Sequence, residues 1–214
     1  MVSATGSLLD ALRARRALAI VRGTNRCAAL RCIEVLVDEG LDLVEVSLTA
    51  EIAVGVIADA VARFGNATRI GAGTVRTPTQ LDAALAAGAT FVVTPGVGAG
   101  ARAALERGVD CLPGVLTPTE LEAGLEAGFD VLKLFPASLG GPAYLRALRD
   151  PYPDAPLVPV GGVGLDAVGD YLDAGALGVG IGGPLLGDAP RGGSLPALRE
   201  RARALVSALG GDRR

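Results

Sequence analysis

The segments TPTQLDAALAAGATFVVTPG (77–96) and TPTELEAGLEAGFDVLKLFP (117–136) are one structural unit used twice. In each, Thr followed by Pro opens a helix, Gly88 or Gly128 closes it, and a short β-type run follows. Working outward in both directions, similar runs recur as ALAIVRG (17–23), LVEVSL (43–48), TRIGAGT (68–74), CLPGVL (111–116), LVPVGG (157–162) and GVGIGG (178–183). Strand alternating with helix predicts right-handed βαβ units and a parallel sheet. With FVVTPG (91–96) and VLKLFP (131–136) there are eight such runs, which predicts an α/β chain closed into a (β/α)8 TIM barrel. An open doubly wound sheet is the alternative. No linker or low-complexity segment divides the chain, so residues 1–214 are expected to form a single domain. Residues 1–16 read as an extra N-terminal helix that plugs the barrel floor, residues 195–209 as the last helix, and 210–214 as a disordered tail.

Half of the 214 residues are hydrophobic but only 3% are aromatic, so Ala, Val, Leu and Ile must fill the core. The net charge is −3, with acidic and basic residues interspersed, and there is no Trp. That pattern argues against a nucleic-acid surface, which needs clustered cations or stacking platforms. The absence of His excludes a Ser-His-Asp triad and a Cys-His pair and removes the usual ligand of a catalytic zinc. No metal and no cofactor is expected. Cys27, Cys32 and Cys111 lack zinc-site spacing and read as reduced thiols of a cytoplasmic protein. In MVSATGSLLDALRARR the charges follow the apolar stretch, the wrong order for a secretory signal, and no run approaches the ~18 apolar residues of a membrane span.

Lys133 is the only lysine; the other 19 cationic side chains are arginine. Alternation along the strand puts Val131, Lys133 and Phe135 on one face and Leu132 and Leu134 on the other. In LVEVSL, Leu43, Glu45 and Ser47 share a face, and Val44, Val46 and Leu48 face the helices. Glu45 and Lys133 must therefore point into the barrel, where a charge is costly unless paired or neutralised. One reading is a buried ion pair that merely fills the interior. An ion pair works equally well with arginine, however, and this chain otherwise always chooses arginine. Only a reaction that needs a neutral amine excludes it, and imine formation with a carbonyl is that reaction.

Active sites of such barrels lie at the C-terminal strand ends. There the sequence places Arg22, Thr49, Thr74, Pro95, Pro113 and Phe135, with glycines after the last two strands. Arg22 can bind a carboxylate bidentately, or be a solvated loop arginine. Thr74 shares a face with Ile70 and Ala72 and can meet a ligand at the mouth, or cap a helix. Gly161 and Gly162 in GGVG, and Gly182 and Gly183 in GVGIGG, sit where these barrels hold phosphate on bare backbone N–H groups; tight turns alone are the alternative. Residues 178–183 also fit the dinucleotide fingerprint, but no βαβ unit follows them.

VEVSL with Glu45, IGAGTV with Thr74, FVVTPG, CLPGVLTPTE, VLKLFPAS with Lys133, and PVGGVG together resemble the 2-keto-3-deoxy-6-phosphogluconate (KDPG) aldolase family. Its relatives act on 6-phosphogalactonate and 4-hydroxy-2-oxoglutarate (KHG). The resemblance spans about residues 15–187, and KLFPAS is its most specific part. It implies that Lys133 forms a Schiff base with the 2-keto group, that Glu45 moves protons, and that threonine, arginine and backbone groups hold the pyruvyl carboxylate. It also implies a phosphate on the final glycine loops and a metal-free, cytoplasmic homotrimer serving the Entner–Doudoroff route. Thr49 stands where many members carry arginine, and Pro184 where many carry a phosphate-binding serine. The expected activity is cleavage of KDPG to pyruvate and glyceraldehyde 3-phosphate. The expected partners are the 2-keto sugar acid and pyruvate, with no nucleic acid and no membrane. A phosphosugar isomerase or epimerase using Glu45, with Lys133 as a clamp, and a non-catalytic sugar-acid-binding barrel are the alternatives.

Overall fold

The computed structural model describes residues 6–210. A helix, α1 (Leu8–Arg15), precedes the strands β1 (Ala17–Val21), β2 (Leu43–Ser47), β3 (Arg69–Gly73), β4 (Val92–Val93), β5 (Cys111–Leu112), β6 (Gly114–Val115), β7 (Leu132–Leu134), β8 (Leu157–Pro159) and β9 (Val179–Ile181). Between and after them run α2 (Arg26–Asp38), α3 (Ala53–Phe64), α4 (Pro78–Ala86), α5 (Ala99–Glu106), α6 (Pro118–Glu126), α7 (Gly141–Arg149), α8 (Val168–Asp173), α9 (Gly183–Leu186) and α10 (Leu195–Ala208). Of the expected tail, residues 211–214 lie outside the described residues, as do residues 1–5 of the expected N-terminal helix.

The strands are parallel and curl around an interior. Six pair in the order β5-β4-β3-β2-β1-β9 and three in the order β6-β7-β8, with a further parallel bridge between Val160 and Gly180. One expected strand, 111–116, is divided between the two sheets at Pro113, which has no N–H to give a ladder. Its carbonyl still accepts from the Lys133 N–H at 2.8 Å.

The repeated unit folds as its residues require. Thr77 and Thr117 accept from the N–H groups of Gln80 and Glu120, Pro78 and Pro118 occupy the first turns, and Gly88 and Gly128 follow the helices at φ 91° and 95°.

Strand alternation sorts the core into two clusters. Val44, Val46, Leu132 and Leu134 pack toward the helices. Leu18, Ile20, Leu43, Val93, Leu112 and Val158 pack inside the curl, together with Leu8, Ala11 and Leu12 of α1. Asp110 holds α1 in place by accepting from the Leu8 N–H at 3.1 Å while pairing with Arg69, whose guanidinium also donates to the Gly6 carbonyl at 2.9 Å.

On β3 the expected face of Thr74 needs correction. Ile70 and Ala72 lie in the helix-side cluster, and the inner positions are Gly71 and Gly73. Thr74 reaches the inner side because its backbone turns left-handed, φ 61°, which breaks the alternation. All three cysteines are free, with Cys32 and Cys111 buried and Cys27 exposed. No helix among the described residues is long and apolar enough to cross a membrane.

Candidate active site

Lys133 and Glu45 are buried at 6% and 4% exposure, on the inner sides of β7 and β2. Gly73 makes room for Glu45: a Cβ there would stand 1.7 Å from Glu45 Oε1. The two side chains are not a salt bridge, since among the described residues no carboxylate lies within 4.0 Å of Lys133 Nζ. Glu45 Oε2 is buried with no hydrogen-bond partner. An interior-filling ion pair therefore does not describe these residues.

Their electrostatics follow from that burial. Desolvation pushes the Glu45 carboxyl above the usual carboxylate range, against the pull of Lys133 and Arg22. Desolvation holds Lys133 below the usual lysine value; Glu45 and Cys111 oppose this, and Arg22 adds to it. Each group is biased toward its neutral form, which is a nucleophile for lysine and a proton donor for glutamate. Lys133 Nζ lies 4.8 Å from the centroid of the Phe135 ring. Cys111 is near enough to feel Lys133, but burial pushes its thiol up to about 12, so it stays protonated.

The mouth carries three hydroxyls. Ser47 Oγ lies 3.0 Å from Thr74 Oγ1 and 3.3 Å from Thr49 Oγ1. Sequence reasoning placed Ser47 on the inner face of β2 without giving it a role, yet it links the two threonines. A β-branched residue at positive φ is strained, and strain of this kind accumulates at functional sites.

Beside Phe135 opens a cavity of about 330 Å³. It gathers Arg22, Phe135, Gly161, Gly162, Gly182 and Gly183, together with Pro184 and Arg191. Gly161 and Gly162 have φ of 89° and 76°, and a Cβ on them would stand 2.9 Å from the Phe135 ring and 2.5 Å from Ser138. Pro95 lies apart, lining a separate cavity of about 250 Å³ with Gly96, Gly114 and Glu120. Arg191 was invisible to sequence reasoning, because it lies in a loop well past the last strand and belongs to no repeat. Among the described residues, no group of three or more Cys, Asp or Glu side chains is arranged to hold a metal ion.

Several known proteins resemble this chain. Residues 8–192 match the family model described as "Aldolase: KDPG and KHG aldolase". The chain is 37% identical to the 2-dehydro-3-deoxy-6-phosphogalactonate aldolase of Escherichia coli (strain K12), over 89% of this chain and 93% of that one. It is 48% identical to a 2-dehydro-3-deoxy-phosphogluconate aldolase of Pseudomonas aeruginosa, over 49% of this chain and 48% of that one. Among solved structures it resembles, with a TM-score of 0.84 and 27% identity, the KDPG aldolase of Legionella pneumophila holding pyruvate as a covalent carbinolamine intermediate. That likeness covers 93% of this chain and 98% of the other.

Proposed function

Because the chain belongs to the KDPG and KHG aldolase family and is a carbon–carbon lyase, we propose that it is a class I aldolase cleaving a 2-keto-3-deoxy-6-phospho sugar acid through Lys133. The observation that carries this reading is the sole lysine of the chain, buried, held below its usual pKa and without a carboxylate partner.

The neutral Lys133 amine attacks the C2 ketone, forming a C–N bond and a carbinolamine. Protonated Glu45, through water, supplies the proton with which the carbinolamine hydroxyl leaves as water (a proton that solvent can also supply), leaving a protonated imine and the Glu45 carboxylate. Glu45, through a water, takes the C4 hydroxyl proton. The C3–C4 bonding pair then moves into the C2–C3 bond as the imine π pair settles on nitrogen, and an aldehyde departs. The enamine takes a proton at C3, with Glu45 as the relay, and hydrolysis returns the lysine and frees pyruvate. Arg22 and the Ser47-bridged hydroxyls of Thr49 and Thr74 hold the carboxylate, with Phe135 shaping the site. Gly161, Gly162, Gly182 and Gly183 hold the phosphate. For KDPG the aldehyde is glyceraldehyde 3-phosphate. The phosphogalactonate epimer is the second reading, favoured by the relative of that name matched over most of the chain.

The scaffold for this chemistry is, in our reading, one domain: an eight-position (β/α)8 barrel with α1 across its floor. The continuous 111–115 run and the Val160–Gly180 bridge support joining the two sheets. A cytoplasmic location belongs to the same reading.

Reductive trapping tests the proposal. Borohydride with pyruvate is expected to add one pyruvyl-derived mass, on the peptide that contains Lys133. Lys133→Arg is expected to keep the fold and lose both adduct and turnover. A trapped adduct elsewhere, or an active arginine variant, would end the imine mechanism. No adduct at all would favour an isomerase or a non-catalytic binder. Cleavage assays with both C4 epimers decide between the two substrates.

A further inference from the structure

Two arginines line the cavity beside Phe135 from different elements, Arg22 after β1 and Arg191 in the turn Ala189–Arg191 after α9. Among the described residues neither guanidinium has a carboxylate within 4.0 Å, whereas eight other arginines do. The cavity wall contains no acidic side chain. The acid nearest Arg191 in sequence, Asp188, is directed at Gly193, where a Cβ would stand 2.1 Å from its carboxyl carbon. The turn is held in place: the Arg191 N–H donates to the Asp188 carbonyl at 2.9 Å, and the Gly192 N–H to the Ala189 carbonyl at 3.0 Å. It also abuts the loop of Arg22, since a Cβ on Gly23 would stand 2.6 Å from the Pro190 carbonyl oxygen.

Two unpaired cations in an acid-free cavity favour a ligand with more than one negative charge. Their roles differ. Arg22 is close enough to Glu45 and Lys133 to act electrostatically on both, so it belongs to the reacting end. Arg191 exerts no such influence on Glu45 or Lys133 and lines the cavity together with the glycines. There Pro184 contributes no N–H, and the wall offers only neutral backbone donors. A doubly charged phosphate held by amides alone keeps much of its charge uncompensated, and a guanidinium fork supplies both charge and paired donors.

We propose that Arg191 is the charged anchor for the phosphate at the far end of the substrate, making it a specificity-determining residue of this chain. This rests on the proposed aldolase reading, and the test separates the two. The kcat/KM for KDPG is divided by that for its non-phosphorylated analogue, in the wild type, Arg191→Ala and Arg191→Lys, with thermal melting confirming that each variant is folded. The wild type is expected to prefer the phosphorylated substrate. Arg191→Ala is expected to lower the ratio about tenfold or more, mainly through KM, and Arg191→Lys to restore part of it. Raised ionic strength should narrow the gap between wild type and Arg191→Ala. A wild type that prefers phosphate, with an unchanged ratio in Arg191→Ala, overturns the role of Arg191 and leaves the aldolase reading intact. A wild-type ratio of one removes the phosphate site and Arg191's role with it, while trapping at Lys133 still reports on the imine chemistry.

Discussion

Glu45 holds a buried, unpartnered oxygen and a carboxyl raised above its usual range by desolvation. Its role as proton relay predicts that Glu45→Gln slows cleavage by ~10²-fold or more while imine formation with pyruvate survives. A fully active variant would remove Glu45 from the mechanism. The same substitution makes a prediction about stability. A carboxyl whose folded pKa lies above its unfolded value, about 4.3, contributes fully below the unfolded value. That contribution is lost as pH rises through the folded pKa. Gln has no proton to lose. The melting temperature of Glu45→Gln relative to wild type should therefore increase as pH is raised from about 4 toward neutrality, measured by calorimetry at a series of pH values. A difference independent of pH would mean that the folded and unfolded carboxyls titrate alike. The inward position of Glu45 was legible from its place between apolar neighbours in LVEVSL. The unpaired state was not, because it depends on the separation of two strands that are not neighbours.

At the scale of the element, β3 serves the site by what it lacks. Its inner positions are Gly71 and Gly73, and a Cβ on them would stand 2.4 Å from the Phe91 ring and 1.7 Å from Glu45 Oε1. Gly73→Ala is predicted to displace the Glu45 carboxyl and lower kcat by an order of magnitude or more, since small misplacements cost ~10²-fold in catalysis. The effect is read by steady-state kinetics beside a melting curve. Full activity would show that Glu45 has another place to go. The next residue, Thr74, was assigned by simple alternation to a face that proves to point at the helices. Alternation holds only while φ stays negative, and nothing in GAGTV marks the left-handed turn that swings its hydroxyl to Ser47.

Across the whole molecule, α10 returns to α2, where Arg199 pairs with Asp38 and Glu39, and Arg203 with Glu39. Such exposed pairs orient the contact more than they stabilise it. The chain also leaves apolar surface near the site mouth, with Leu139 at 70% exposure. Together with the family resemblance this motivates our proposal that the chain assembles as a homotrimer. Sedimentation equilibrium at micromolar concentration is expected to return three times the chain mass; a clean monomer would show that assembly departs from the family pattern.

Some of this protein was determined by sequence alone. The parallel strand–helix repeat, the helix starts at Thr77-Pro78 and Thr117-Pro118, and the inward face of Lys133 and Glu45 all follow from local rules of capping and period. Those rules act between residues a few positions apart, so a single chain carries them openly. Only the tertiary structure decided that Pro113 divides a strand between two sheets and that Ser47 joins Thr49 to Thr74. It also separated Pro95 from the cavity beside Phe135 and brought Arg191 to that cavity beside Arg22. Each of these is a distance between segments remote in sequence, set by how the curl of the sheet and its long loops pack, and no local pattern encodes it.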